Sequence, residues 1–385
     1  MRINIVTGFF LPVPPLLGGS TEKIWHELAR QLAEQQHEVT FLSRSWPGLP
    51  DRETLEGVKH LRINGADHTR SLARNLWLDL RWGLRAAPHL PVADVTICNT
   101  VTLPVWLGLA RPSAGRVAAV VARMPKGQGR LYGAVDRIYA LSTDVRNRLV
   151  RENARLTDKI RQFPYPIDWQ LHNTARNASL RTEGTPTTIS YIGRLHPEKG
   201  LTLLIEAAAK LVQRLDLPPW RLVLTGPQSI QQGGGGEAYV TSLRERVGRT
   251  LGPRLQIRGP EFQPVLLASR YAETDIFCYP SQAEAGETFG VAVAEAMAAG
   301  AAPVVSNLRC FRELIDHGNT GLVFDHRTPT AADDLCARLA DLIIDPARRN
   351  AIARKAADHV RQFDFGARSE ALLSDLAGLT ATRTR

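Results

Sequence analysis

The chain of 385 residues is short of cysteine, methionine and aromatic residues. Its 4 cysteines, Cys98, Cys278, Cys310 and Cys336, stand far apart and form no CxxC pair. That spacing offers neither a disulfide framework nor a zinc site, and it suits reduced thiols inside a cell. No apolar run is long enough to span a bilayer. The opening "MRINIVTGFFLPVPP" is apolar but is broken by Pro12 and Pro14 and lacks a small-residue cleavage site. It reads as a first buried strand rather than a signal peptide. That strand is followed by "GFFLPVPPLLGG", which is not the GxGxxG of a nucleotide-dependent oxidoreductase. A nucleic-acid binder needs a basic stripe interleaved with aromatics, and the nearest candidate, "TRSLARNLWLDLRWGLRAAPH", reads better as an ordinary amphipathic helix.

Hydrophobic content of 44% and charged content of 22% are globular values. The length suits two domains. A formal net charge of +10 favours an anionic partner such as a nucleotide, a phosphosugar or an acidic lipid surface. Short apolar runs alternate with helical patterns along the whole chain. "INIVTGFF", "HEVTFLS", "ADVTICNT", "RVAAVVA" and "DRIYALS" read as strands in the first half. "TTISYIGRL", "WRLVLTG", "LQIRG", "DIFCYPS", "APVVSN" and "TGLVFD" do so in the second. Strand–helix alternation at this spacing means parallel sheets covered on both faces. The set occurs twice, so the expected fold is α/β with two doubly wound, Rossmann-like domains. The polar stretch 173–187 is read as the linker between a first domain, 1–172, and a second, 188–365. The final helix, 366–385, is expected to pack back on the first domain. "QSIQQGGGGE" is read as a flexible surface loop because of its four consecutive glycines.

In open parallel sheets ligands sit beyond the carboxyl ends of the strands. Three segments at that edge carry chemistry. "LLGGSTEK" places Gly18 and Gly19 before Ser20 and Thr21, which are good N-caps for the next helix. "GRLHPEKG" holds Arg194 and Lys199 between glycines, a fork and a point charge that suit a diphosphate. "GETFGVAVAEAMAAG", Gly286 to Gly300, places Glu295 inside a helix that is apolar all round and therefore buried. A buried carboxylate needs donors, from the protein or from a ligand hydroxyl. Thr288 is the expected N-cap, with Glu287 just outside the helix. Gly300 ends the helix. The N–H groups of Phe289, Gly290 and Val291 then form an anion site at a helix N-terminus.

The stretches "YIGRLHPEKGLTLLIEAAAKL", "DIFCYPS" and "ETFGVAVAEAMAAGAAPVVSNLRCFRELIDHGNTGLVF" resemble the second domain of retaining GT-B glycosyltransferases of family four, also called group one. The Glu-x7-Glu pair of that family is met by Glu287 and Glu295. The resemblance is strong over Thr188–Phe324 and weaker over Ile3–Ser43. It implies two Rossmann-like domains facing each other across a cleft, and transfer of a sugar from a nucleotide-sugar donor with retention of configuration. Arg194 and Lys199 would bind the donor diphosphate and stabilise it as leaving group. Glu295 would accept from the ribose hydroxyls, and Glu287 would lie near the donor sugar. The backbone around Phe289, Gly290 and Val291 would hold sugar and phosphate oxygens. Gly19 would let the first domain's loop approach the donor. The nucleotide sugar is a substrate, so no cofactor is implied.

The chain departs from the family pattern in two places. Where relatives often carry a histidine after a later strand of the first domain, this chain has Arg123 in "VVARMPKGQGR". Where Asn-Gly is usual before "ID", it has Tyr165-Pro166. Arg123, Lys126 and Arg130 either meet an anionic acceptor or the donor phosphates, or form a solvated basic loop. No Asp-x-Asp metal motif is present, and metal-independent transfer is the expectation. A sugar-nucleotide hydrolase or epimerase on the same fold is the alternative. The acceptor is left open among glycan, lipid-linked and small-molecule classes. A cytoplasmic protein, peripheral to the inner face of the membrane in one version, is the expected setting. That version rests on "TRSLARNLWLDLRWGLRAAPH", where Arg70, Arg74, Arg81 and Arg85 share a narrow helical face that suits weak binding to an anionic membrane. An ordinary amphipathic helix packed on the sheet is the blander reading of the same stretch.

Overall fold

A computed structural model of the chain describes residues 1–17, 19–69, 71–178, 184–247 and 250–381. These fall into two compact units, 1–166 with 365–385, and 167–364.

The first unit contains β1 (Arg2–Val6), α1 (Ser20–Glu34), β2 (Glu38–Arg44), β3 (Arg52–Leu55), β4 (Val58–Ile63), α2 (Leu72–Ala86), β5 (Val95–Cys98), α3 (Leu103–Ala110), β6 (Arg116–Val121), β7 (Arg137–Ala140), α4 (Thr143–Glu152) and β8 (Ile160–Gln162). The second contains α5 (Trp169–Ala178), β9 (Thr187–Ile192), α6 (Leu201–Val212), β10 (Trp220–Thr225), α7 (Glu237–Val247), β11 (Leu255–Arg258), α8 (Pro264–Ala272), β12 (Ile276–Tyr279), α9 (Val291–Ala298), β13 (Ala302–Ser306), β14 (Leu322–Phe324), α10 (Ala331–Ile344) and α11 (Pro346–Val360). The last helix, α12 (Phe365–Ala381), returns to the first unit.

The first sheet has the order β3-β4-β2-β1-β5-β6-β7-β8, with β3 antiparallel to β4 and the other pairs parallel. The second has the order β11-β10-β9-β12-β13-β14 and is parallel throughout. Strands such as Val95–Cys98 and Ile276–Tyr279 are buried at every position. That is the signature of strands covered on both faces and explains their continuous apolar runs. The strands absent from the sequence reading are β3, β4 and β8. β3 and β8 are short edge strands, β4 pairs between β3 and β2, and all three carry polar residues, so no apolar run announces them.

The structure corrects three expectations. The stretch 173–187 is not simply a linker: α5 runs through its first six residues, and 179–183 lie outside the described residues. The Ile167 N–H donates to Phe363 O, and the Trp169 indole N–H donates to Ala357 O. These bonds tie the chain to the second unit from Ile167 onward. Ser20 and Thr21 lie inside α1, whose N-cap is Gly19. The four glycines form a bonded turn rather than a structureless loop, because every one of their N–H groups has a backbone acceptor. As in the blander reading, α2 packs inward, through Asp79, Trp82, Gly83 and Ala86, and it leaves Leu72, Leu76, Trp77, Leu80 and Leu84 exposed. Of the four arginines, Arg74 and Arg81 are exposed and Arg85 is half-buried, while Arg70 lies outside the described residues.

Candidate active site

In the second unit the segment after β9 carries Arg194 and Lys199, and the segment after β12 carries Glu287. Both strands sit in the middle of the sheet, so both loops leave from its carboxyl edge. Lys199 is 5% exposed and Glu287 is 9% exposed. The Lys199 ammonium donates to Glu287 Oε1. The same oxygen accepts from Tyr279 Oη at 3.1 Å and from Ser281 Oγ at 3.1 Å. Three donors on one oxygen leave Glu287 Oε2 without a donor among the described residues. The Lys199 ammonium also lies 5.7 Å from the centre of the Tyr279 ring. Burial, and then the Glu287 charge, push the Tyr279 hydroxyl well above its ordinary range, so it stays a neutral donor.

Arg194 is held differently. Its Nη1 donates to Gly233 O at 2.8 Å and its Nη2 to Glu198 Oε1 at 2.7 Å, while the side chain stays 44% exposed. Glu198 also lies 3.9 Å from Lys199 Nζ. The two cations and two carboxylates therefore form one chain, Arg194–Glu198–Lys199–Glu287, running from exposed to buried.

Glu295 sits in α9 and is 6% exposed. Tyr271 Oη donates to its Oε2 at 3.1 Å, and His172 Nε2 lies 4.0 Å from its Oε1. A buried carboxylate in this helix thus already has a protein donor, and a ribose hydroxyl is not required to satisfy it. Thr288 is not the N-cap. That position is Gly290, at φ 97°, and a Cβ there would sit 2.8 Å from the Phe311 ring. The first helical bond runs from the Val293 N–H to Gly290 O, so the N–H groups of Val291 and Ala292 precede it. The Phe289 side chain is core, edge-on to Phe363 at 5.3 Å between ring centres. Only the backbone of Phe289 is left for a ligand.

The first unit, taken by itself, has its own polar group at the carboxyl edge of its sheet. Gly19 has φ 95°, and a Cβ on it would meet Glu22 Oε2 at 2.4 Å and Leu11 Cδ1 at 2.7 Å. The space that Gly19 keeps open is thus filled by Glu22, a residue absent from the expected set. Glu22 is 4% exposed, and burial pushes its carboxyl up to about 7, against the opposing pull of its own backbone N–H and of Arg123. One signal in the sequence pointed to it: Glu22, Trp25, Ala29 and Leu32 share the buried stripe of α1. Arg123 also acts on His68, whose imidazole is lowered first by burial and then by that guanidinium. Gly18 lies outside the described residues.

Arg123, Lys126 and Arg130 are all exposed and make no ion pair among the described residues. Their loop is clamped: the Gly127 and Gly129 N–H groups donate to Glu152 Oε1 and Oε2 at 2.9 and 3.0 Å. The clamp fixes the backbone of the loop, while its basic side chains stay exposed to solvent.

Two parallel-sheet units with these loops are the GT-B arrangement of glycosyltransferases. Sucrose-phosphate synthase of Thermosynechococcus elongatus superposes with a TM-score of 0.79 at 18% identity, over 99% of this chain and 100% of that one. Residues 173–359 match the model of the family described as glycosyl transferases group 1. The chain is 32% identical over 377 residues to phosphatidyl-myo-inositol mannosyltransferase of Mycobacterium tuberculosis, covering 89% of this chain and 87% of that protein. This protein belongs to the group 1 glycosyl transferases. It is also 27% identical over 303 residues to D-inositol 3-phosphate glycosyltransferase of Rhodococcus opacus, across 77% of this chain but only 64% of that relative's length.

Proposed function

We propose that this protein transfers a sugar from a nucleoside-diphosphate sugar to an acceptor, with retention of configuration and without a metal ion. The observation that carries this reading is the buried Lys199–Glu287 pair beside Arg194. A diphosphate meeting Lys199 and Arg194 is stabilised as it departs, by charges already in place. Glu287 keeps Oε2 for a hydroxyl of the donor sugar. Its other oxygen is committed to Lys199, Tyr279 and Ser281. That commitment favours a binding role over attack on the anomeric carbon. The departing phosphate then takes the acceptor proton on the same face, so configuration is retained. Glu295, paired with Tyr271, accepts in addition from ribose hydroxyls. The anion site at Val291 and Ala292 receives phosphate or sugar oxygens.

The names of the two relatives point to an inositol phosphate, free or lipid-borne, as the acceptor class. The fixed basic loop of Arg123 and Lys126 supports an anionic acceptor. The exposed face of α2 supports a lipid-borne one. It presents Leu72, Leu76, Trp77, Leu80 and Leu84 beside Arg74 and Arg81, and the helix's one acid, Asp79, is buried against Thr102. An apolar face rimmed by arginine suits an anionic lipid surface.

The experiment is a thermal-shift screen of nucleotide sugars, since a ligand of the folded state raises the melting temperature. Transfer is then measured with the best hit, to myo-inositol phosphate or to phosphatidylinositol vesicles, with and without EDTA. Product anomers are read by NMR. Loss of transfer in EDTA, restored by Mg²⁺, overturns the metal-free reading, and an inverted anomer overturns retention. Free sugar released without acceptor supports the hydrolase alternative. Vesicle binding that persists in Leu76→Gln/Trp77→Gln/Leu80→Gln removes the lipid role of α2.

A further inference from the structure

The tetraglycine run Gly233–Gly236 carries no side chain that could act in the reaction, yet it is built against Arg194. Each of its N–H groups is used: Gly233 on Ile230 O at 3.0 Å, Gly234 on Ser229 O at 2.8 Å, Gly235 on Leu195 O at 2.8 Å and Gly236 on Gln228 O at 2.9 Å. The Gly235 bond joins the turn to the residue next to Arg194. Leu195 N–H in turn donates to Pro227 O at 2.9 Å, at the other end of the same loop. The Gly233 carbonyl accepts from Arg194 Nη1 at 2.8 Å.

The absence of side chains is what allows this packing. A Cβ on Gly233, at φ 81°, would stand 3.0 Å from Arg194 Cδ and 3.3 Å from its Nη1. A Cβ on Gly235 would stand 2.7 Å from the Tyr239 ring and 3.0 Å from Pro197 Cδ. A Cβ on Gly234 would run into Gln228 O at 2.3 Å. A composition that reads as slack linker is therefore a close-packed mount.

We propose that the Gly233–Gly236 turn is a positioning element that fixes the Arg194 guanidinium for the diphosphate. The inference rests on the role given to Arg194 in the proposed function. Gly233 O pins Nη1 and Glu198 pins Nη2, which sets the plane of the guanidinium and leaves its other N–H groups for phosphate oxygens. Arg194 is 44% exposed, so without two pins its long side chain would sample many rotamers. A cation fixed beforehand need not be ordered when charge develops on the leaving group.

The test compares Gly233→Ala and Gly235→Ala with Gly318→Ala. Gly318 has φ 83° and nothing within 4 Å of a built Cβ, so it carries the same backbone strain without touching Arg194. Stability is measured by urea unfolding, turnover by steady-state kinetics, and affinity for the nucleoside and the nucleoside diphosphate by calorimetry. We expect Gly233→Ala to lower kcat roughly tenfold and to weaken the diphosphate but not the nucleoside, with Arg194→Ala costing roughly tenfold to hundredfold. Gly318→Ala, equally strained, keeps its kcat. The double variant Gly233→Ala/Arg194→Ala should be no slower than Arg194→Ala alone, since the turn acts through the guanidinium. If Arg194→Ala is impaired but Gly233→Ala and Gly235→Ala match Gly318→Ala, the mount is overturned and the role of Arg194 stands. Additive losses in the double variant overturn the mount too. If Arg194→Ala keeps full turnover and diphosphate affinity, both the mount and the reading of Arg194 fail.

Discussion

Each unit buries a glutamate at the carboxyl edge of its sheet, and the two are treated in opposite ways. Glu287 in the second unit and Glu22 in the first are 9% and 4% exposed. Glu287 has an ammonium and two hydroxyls on one oxygen. Glu22 has its own backbone N–H and the field of an exposed arginine, and burial outweighs both. Similar burial thus gives one carboxylate locked in an ion pair and one poised near neutrality. Burial sets the cost of a charge, and the donors decide whether that cost is met.

The largest effect should come from breaking the locked pair. Lys199→Ala leaves Glu287 buried without its cation, and should cost about 3–5 kcal/mol of stability. On the proposed role of Lys199 at the diphosphate, turnover should fall by roughly a hundredfold or more. Urea unfolding and steady-state kinetics measure the two effects. Adding Glu287→Gln to Lys199→Ala should recover much of the stability and none of the turnover. Stability equal to wild type in the single variant would show that the pair is not the anchor drawn here.

The poised carboxylate is tested by pH. The folded Glu22 carboxyl, at about 7, lies above its unfolded value of 4.5, so the folded state binds more protons between those values. Its contribution is therefore fully present below about pH 4.5 and is lost as pH rises through about 7. Glu22→Gln cannot ionise. Its stability relative to wild type should improve by about 3 kcal/mol between pH 4.5 and pH 7.5. A constant difference across that range would mean that Glu22 is ionised throughout.

Glu295 lies between the two cases, with Tyr271 and a nearby histidine as its neighbours. Glu295→Gln keeps the volume and should weaken nucleotide binding by on the order of 1.5–3 kcal/mol, through loss of charge-assisted bonds. Calorimetry showing unchanged affinity in a folded variant would detach Glu295 from the ribose. The smallest effect concerns the arginine that faces Glu22. Arg123→Gln removes a charge that lowers the Glu22 carboxyl, so the midpoint should move up by roughly half a pH unit or less. A downward shift would show that Arg123 does not favour the carboxylate.

Much of this was legible in the residues. Continuous apolar strands such as "DIFCYPS" and "WRLVLTG" marked the second sheet strand by strand, because a strand buried on both faces must be apolar throughout. The Glu-x7-Glu spacing and "GRLHPEKG" marked the loops that hold Lys199, Arg194 and Glu287. Glu295 was recognisable as buried, since a carboxylate in a wholly apolar helix has no polar face to turn to water.

Other features existed only once the chain had folded. No spacing reveals that Tyr279, Ser281 and Lys199 converge on one oxygen of Glu287, because Lys199 comes from the loop after β9 while the others belong to β12 and the segment after it. Composition alone made the four glycines a flexible loop, and packing made them a rigid turn under Arg194. Only the fold shows that the α2 leucines are left exposed. Local sequence determines period, polarity and turn chemistry, and these gave two doubly wound domains and their ligand-bearing edges. Hydrogen-bond partners, and the faces left uncovered, depend on which distant segments close over a residue, and tertiary structure alone decided those.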